Sequence, residues 1–219
     1  MRTHYLCTLA LSALLTMSTA YSPSASADIE GVTAVVIEQV GIPSFDDLYS
    51  QAQDIDGKVL AAAEDIEKTR KKLKQALGAA EDVKFDTAVA EFKAKAPGMI
   101  KIETNDGKIK IGFEPDAPDD IKSAAAAMND AVENLDEAKE KLGQVPGMIK
   151  DLGDKAAAAA DPKNVKSEAT AAGLKAKDVP AKLKLIRGNN QAMKAIPDNS
   201  KAVVGEADKT LDLIKTIGS

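Results

Sequence analysis

The stretch from Ser44 to Leu77, "SFDDLYSQAQDIDGKVLAAAEDIEKTRKKLKQAL", decides the fold. It places Phe45, Leu48, Ala52, Ile55, Val59, Ala62, Ile66, Thr69, Leu73 and Ala76 at steps that alternate between three and four. Side chains at that spacing line one face of an α-helix, and an unbroken run of them has to be buried against another helix. At 1.5 Å per residue the helix is about 50 Å long. Ser44 and Asp47 have the spacing of a weak capping box, and Gly78 suits the C-terminal cap. Gly57 lies inside the run and weakens it by about 1 kcal/mol relative to alanine.

A second seam lies downstream at Ile121, Ala124, Met128, Ala131, Leu135, Ala138 and Leu142. Every second position in it is alanine, so a partner helix can approach closely, crossing at about 20°. Asp116 or Ala117 is read as its cap, with Pro118 in the first turn and Gly143 at the end. A shorter helix over 81 to 95 puts Phe85, Val89 and Phe92 on one face, and Pro97-Gly98 stops it.

Between the short helix and the second seam lies "GMIKIETNDGKIKIGFE". A two-residue Asp-Gly loop is a strong hairpin signal, because a type I′ turn needs positive φ at both positions. With Asp106-Gly107 in the loop, Thr104 opposes Ile109, Ile102 opposes Ile111 and Ile100 opposes Phe113. The candidate apolar face is therefore Ile100, Ile102, Ile109, Ile111 and Phe113. On the other face Glu103 opposes Lys110, a pair worth a few tenths of a kcal/mol. Moving the loop to Asn105-Asp106 sets Lys101 against Lys110 instead, so turn chemistry and charge favour the first register. A lone hairpin is unstable in water, and this one is expected to cover the bundle.

The remaining segments are shorter. Residues 29 to 40 mix a helical face (Ile29, Val32, Val36, Val40) with a β-branched density that also suits a strand; a short helix is expected. After Gly143, one helix runs to Ala160 and Asp161-Pro162 opens the next. Val179-Pro180 opens a third. Gly188-Asn189-Asn190 and Ile196-Pro197-Asp198 read as turns, and a final helix carries Val204, Ala207, Leu211 and Ile214. The pentapeptide PGMIK occurs at both 97–101 and 146–150, but its flanks do not align, so it is punctuation rather than a repeat.

The expected fold is mostly α: an elongated helical bundle with two long heptad-seamed helices, several short C-terminal helices and one inserted β-hairpin at about 99–114. Residues 28–219 are read as one domain. The order long helix, short helix, hairpin, long helix over residues 44 to 142 is similar to that of exported helical pore-forming toxins, which carry a hydrophobic tongue between bundle helices. The resemblance is one of topology, without a shared motif, and it implies a membrane-active protein. Here the strands alternate with Lys101, Glu103, Lys108 and Lys110, whereas an inserting tongue is apolar on both faces.

Residues 1–27 have the layout of a cleaved secretory signal. Arg2 is the positive start, Leu6 to Met17 an uncharged apolar run, and Ala25 to Ala27 a small-residue cleavage site, with a cut after Ala20 as the alternative. The run is shorter than the roughly 20 residues a membrane span needs. Export to a periplasmic or extracellular space is expected. That segment holds the only cysteine, Cys7, and the only histidine, His4. Without them the remaining chain lacks the commonest bases, nucleophiles and soft metal ligands. A calcium loop centred on Gly107 would put Ile102 and Phe113 at ligand positions, and that match fails. The acid pairs Asp46-Asp47 and Asp119-Asp120 sit at helix starts, where they stabilise the N-terminus. No catalytic residue, metal site or cofactor is assigned, and no enzymatic activity is expected. The net charge of −5 argues against nucleic acid as a partner.

One charge feature stands apart. From Lys163 to Lys194 there are eight basic residues against Glu168 and Asp178, in a chain that is otherwise strongly acidic. Lys175, Lys177, Lys182, Lys184 and Arg187 form the candidate interaction surface. Pairing with the acidic half of the bundle, or with a second copy, is expected; an anionic membrane surface is the other possible partner. The function read from these features is that of an exported interaction, structural or chaperone-like protein, with a membrane-active protein as the alternative.

Overall fold

The computed structural model describes residue 29 and residues 31–105 and 108–218. The expected leader, residues 1–27, and the expected turn at Asp106-Gly107 lie outside the described residues. The chain is a mostly helical bundle with one inserted antiparallel hairpin. In order the elements are α1 (Pro43–Ala76), α2 (Phe85–Lys95), β1 (Ile100–Asn105), β2 (Lys108–Phe113), α3 (Asp119–Gly143), α4 (Val145–Ala159), α5 (Pro162–Ala171), α6 (Val179–Ala192) and α7 (Ala195–Lys215). Short 3-10 turns at Ala176–Asp178 and Thr216–Gly218 precede α6 and follow α7.

The two long helices pack against each other, as their seams require. Ala52, Ile55, Val59, Ile66 and Leu73 of α1 are buried, as are Ile121, Ala124, Met128, Ala131, Leu135 and Leu142 of α3. Ala62, Thr69 and Ala138, also seam positions, are only half-buried. The third member of the spine is α7, which touches both long helices. Arg70 of α1 donates to Thr210 Oγ1 at 2.6 Å and to the Glu206 carboxylate at 2.8 Å, and Ser200 Oγ donates to the Leu142 carbonyl at 2.9 Å. Hydrogen bonds from Lys209, then from Arg70, hold the Glu206 carboxyl below its ordinary range.

Several local expectations are corrected. The helix starts at Pro43, with Ile42 rather than Ser44 as its cap. Pro43 needs no donor in the first turn. Asp46, not Asp47, reaches back to accept from the Val40 and Gly41 amides at 2.7 and 3.0 Å. Gly188-Asn189-Asn190 is not a turn but part of α6, and Ile196-Pro197-Asp198 lies inside α7. Pro197 falls in the first turn of α7, where its missing N–H costs nothing. The C-terminal end of α1 is as expected: Gly78 has φ +75°, its N–H bonds Gln75 O, and Ala79 N–H bonds Lys74 O, closing a Schellman motif.

The hairpin has the expected register, from Ile100 opposite Phe113 to Asn105 opposite Lys108. Glu103 faces Lys110 in register without closing an ion pair; the salt bridge at the base is Lys101–Glu114, 2.9 Å. Residues 32–40 are not the expected helix. They run without regular structure, with Val32, Ile37 and Val40 turned inward and Val36 78% exposed.

Candidate functional site

The basic segment is built by α5, the 3-10 turn and α6. Asp161 caps α5 through the Lys163 amide at 2.8 Å, with Pro162 in the first turn. Only Val165 and Ala169 of α5 are buried, so one narrow stripe docks it. α6 buries Val179, Ile186 and Asn189. These inward residues leave Lys175, Lys177, Lys184 and Arg187 exposed, while Lys182 is half-buried, its Nζ 3.6 Å from the position of a Cβ built on Gly41. Among the described residues none of the five forms an ion pair, nor do Lys163, Lys166 and Lys194. Among the described residues, then, no ion pair joins this face to the acidic part of the same chain. Some of the bundle's acids pair with other lysines instead, as in Lys139–Asp208 at 2.6 Å. Glu168, one of the segment's two acids, accepts from Ser44 Oγ. Lys163, Lys166, Ser167 and Thr170 line a shallow recess of about 520 Å³ on α5.

The hairpin face is mostly used internally. Ile100 and Ile111 are buried, and Ile102 and Ile109 are half-buried against the core. The 3-10 turn after α7 approaches so closely that a Cβ on Gly218 would lie 2.7 Å from Ile102 Cγ1. Phe113 alone departs from the expectation; it is 42% exposed, at the open end of the ladder. Asn129 of α3 seals the outer edge of β2, accepting from Ile111 N–H at 2.9 Å and donating to Ile111 O at 2.7 Å.

A polar cluster under residues 33–40 is not among the sequence-derived candidates. Asp56 Oδ2 accepts from the Val35 amide at 2.8 Å, and Gln53 donates to Ile37 O at 2.9 Å. Asn189 clasps Glu38 on both sides, accepting from its N–H at 3.1 Å and donating to its carbonyl at 2.7 Å. Asn199 donates to Thr33 O at 2.7 Å. The Tyr49 hydroxyl lies 3.0 Å from Ile186 O and 2.9 Å from Asn190 Oδ1; burial, then Asp46, pushes its ionisation up. Asp56 is buried, its Oδ1 lacks a hydrogen-bond partner, and burial pushes its carboxyl up against the opposing pull of Val35 and Asn199. The sequence signal was there: Asp56 stands one residue past the seam residue Ile55, on the flank of a buried stripe. This cluster ties the irregular segment at residues 32–40 to α1, α6 and α7. No group of three or more metal-ligating side chains occurs among the described residues. No helix among them is long and apolar enough to cross a membrane.

No family model, curated protein or solved structure matches this chain.

Proposed function

We propose that this is an exported, non-enzymatic interaction protein whose α5–α6 face recognises an acidic partner protein. What supports the reading is a run of exposed lysines and one arginine with no ion-pair partner among the described residues, in a chain of opposite net charge. An unpaired cluster of one sign raises the local concentration of opposite charge and speeds encounter. Export rests on the leader-like first 27 residues and predicts that the mature chain begins at Asp28.

Binding to immobilised polyglutamate tests the reading. The chain should be retained at low salt, released as salt rises, and lose retention when Lys175, Lys177, Lys184 and Arg187 are changed to glutamine. Retention unaffected by those four changes would overturn it. Anionic vesicles in parallel distinguish the membrane reading, since each lysine near such a surface adds about 1 kcal/mol. Vesicle flotation without retention on polyglutamate would replace a protein partner with a lipid surface.

A further inference from the structure

Residues 32–40 lie on the bundle as a peptide ligand lies in a site. Among the described residues no backbone group of residues 33–41 bonds another backbone group. Helix side chains hold the segment instead. Gln53 and Asp56 of α1 hold the Ile37 carbonyl and the Val35 amide at 2.9 and 2.8 Å. Asn189 of α6 takes both polar groups of Glu38, and Asn199 of α7 donates to the Thr33 carbonyl at 2.7 Å. These bonds go to the main chain, so they do not depend on which side chains the segment carries.

Selectivity comes from burial. Val32, Ile37 and Val40 are turned into the core, while Thr33, Ala34, Val36, Glu38 and Gln39 are exposed. Main-chain hydrogen bonds combined with sockets for a few apolar side chains are the general means by which a protein takes an extended peptide. Three helices thus form a seat, and the one sequence it is seen to fit is residues 32–40 of this chain. Every copy carries both the seat and the segment, so an exchange between two copies is reciprocal and closed.

We propose that this seat is a binding site for an extended peptide, filled in cis by residues 32–40, and that the same segment of a second copy takes it in trans when the seat is vacant. A tethered occupant excludes a free one, because its effective concentration is on the order of millimolar. The seat is separate from the exposed lysines of the α5–α6 face, and either can fail without the other.

Val32→Asp with Ile37→Asp in the full chain puts charge at two buried positions and vacates the seat. A labelled peptide with the sequence of residues 28–42 stands for the second copy's segment, and fluorescence anisotropy reads its binding. The peptide should bind this variant roughly tenfold more tightly than wild type, whose seat is filled. A peptide carrying the same two aspartates should not bind. Gln53→Ala in the receiving chain should weaken binding about fivefold, the worth of one hydrogen bond. Equal binding to variant and wild type overturns the proposal. So does no binding to a variant that keeps its helical circular dichroism, or binding unchanged by Gln53→Ala. If the double variant loses its helices, Val32→Ala takes its place under the same criteria. A chain that unfolds even then also overturns the proposal, because the seat would not exist without its own segment.

Discussion

Two non-helical segments of this helical protein invite comparison: the hairpin β1–β2 and the strap at residues 32–40, which has no regular structure. Both are rich in β-branched residues, and both have backbone groups held by asparagine side chains from helices. Asn129 grips Ile111 as Asn189 grips Glu38, each with one accepted and one donated hydrogen bond. The difference is where the partners lie in the chain. Each hairpin strand pairs with the other strand across a short loop, and Asn129 is 18 residues from Ile111. Among the described residues no strand pairs with the strap; Asn189 lies 151 residues from Glu38, and Asn199 lies 166 from Thr33. The hairpin is a local event trimmed by tertiary contacts. The strap is held partly by α1, which follows it, and partly by Asn189 and Asn199 from helices more than 150 residues away.

Removing the clasps should therefore hurt the strap more than the hairpin. Asn189→Ala empties a buried site and strips both bonds from Glu38, so a loss of about 3 kcal/mol is expected in urea unfolding. Asn129→Ala removes the same pair of bonds from a half-exposed edge, where water can replace them, and should cost about 1 kcal/mol. An equal loss in the two variants would erase the distinction between the segments.

Asp56 sharpens the comparison through pH. Its carboxyl is raised in the folded state above an ordinary value of 3.8. The folded state therefore holds the proton more tightly than the unfolded chain. The stability that Asp56 contributes is greatest below that ordinary value and is lost as pH rises through it toward the raised folded value. The difference in unfolding free energy between wild type and Asp56→Asn should shift in favour of the variant across that window and level off above it. A difference that stays flat from acid to neutral pH would show that the strap does not sense this carboxylate. The smallest effect is expected at the exposed cross-strand pair: Glu103→Lys should change stability by no more than about 0.5 kcal/mol. A larger loss would mean the hairpin depends on that pair more than on its apolar face.

The legibility of the fold follows the same division. The seams of α1 and α3 were readable because a helix repeats its face every three or four residues, whatever lies opposite. The hairpin register was readable because Asp106-Gly107 and the alternation of isoleucine with lysine agree. The strap was not, because two of its four side-chain partners, Asn189 and Asn199, lie more than 150 residues away and leave no local pattern beside it. The same contacts explain why Gly188-Asn189-Asn190 stays helical: Asn189 and Asn190 spend their side chains on Glu38 and Tyr49 rather than on a turn. The basic face was readable as composition, but the absence of internal partners for it among the described residues was not.

The pentapeptide PGMIK shows the limit in miniature. At 97–101 it carries Gly98 at φ +71° and leads into β1; at 146–150 it lies in the first turns of α4. Ile100 and Ile149 are buried in both settings, so five identical residues keep an apolar anchor and change its backbone. Sequence by itself determined the periodic faces, the hairpin pairing and the charge division, because each depends on spacing along a few turns or across one loop. Tertiary structure decided that α7 joins the spine, that the segment at residues 32–40 is not helical, and that the seam positions Ala62, Thr69 and Ala138 stay only half-buried. Those outcomes rest on volumes and hydrogen-bond partners that distant parts of the chain bring together, and such partners leave no local pattern to read.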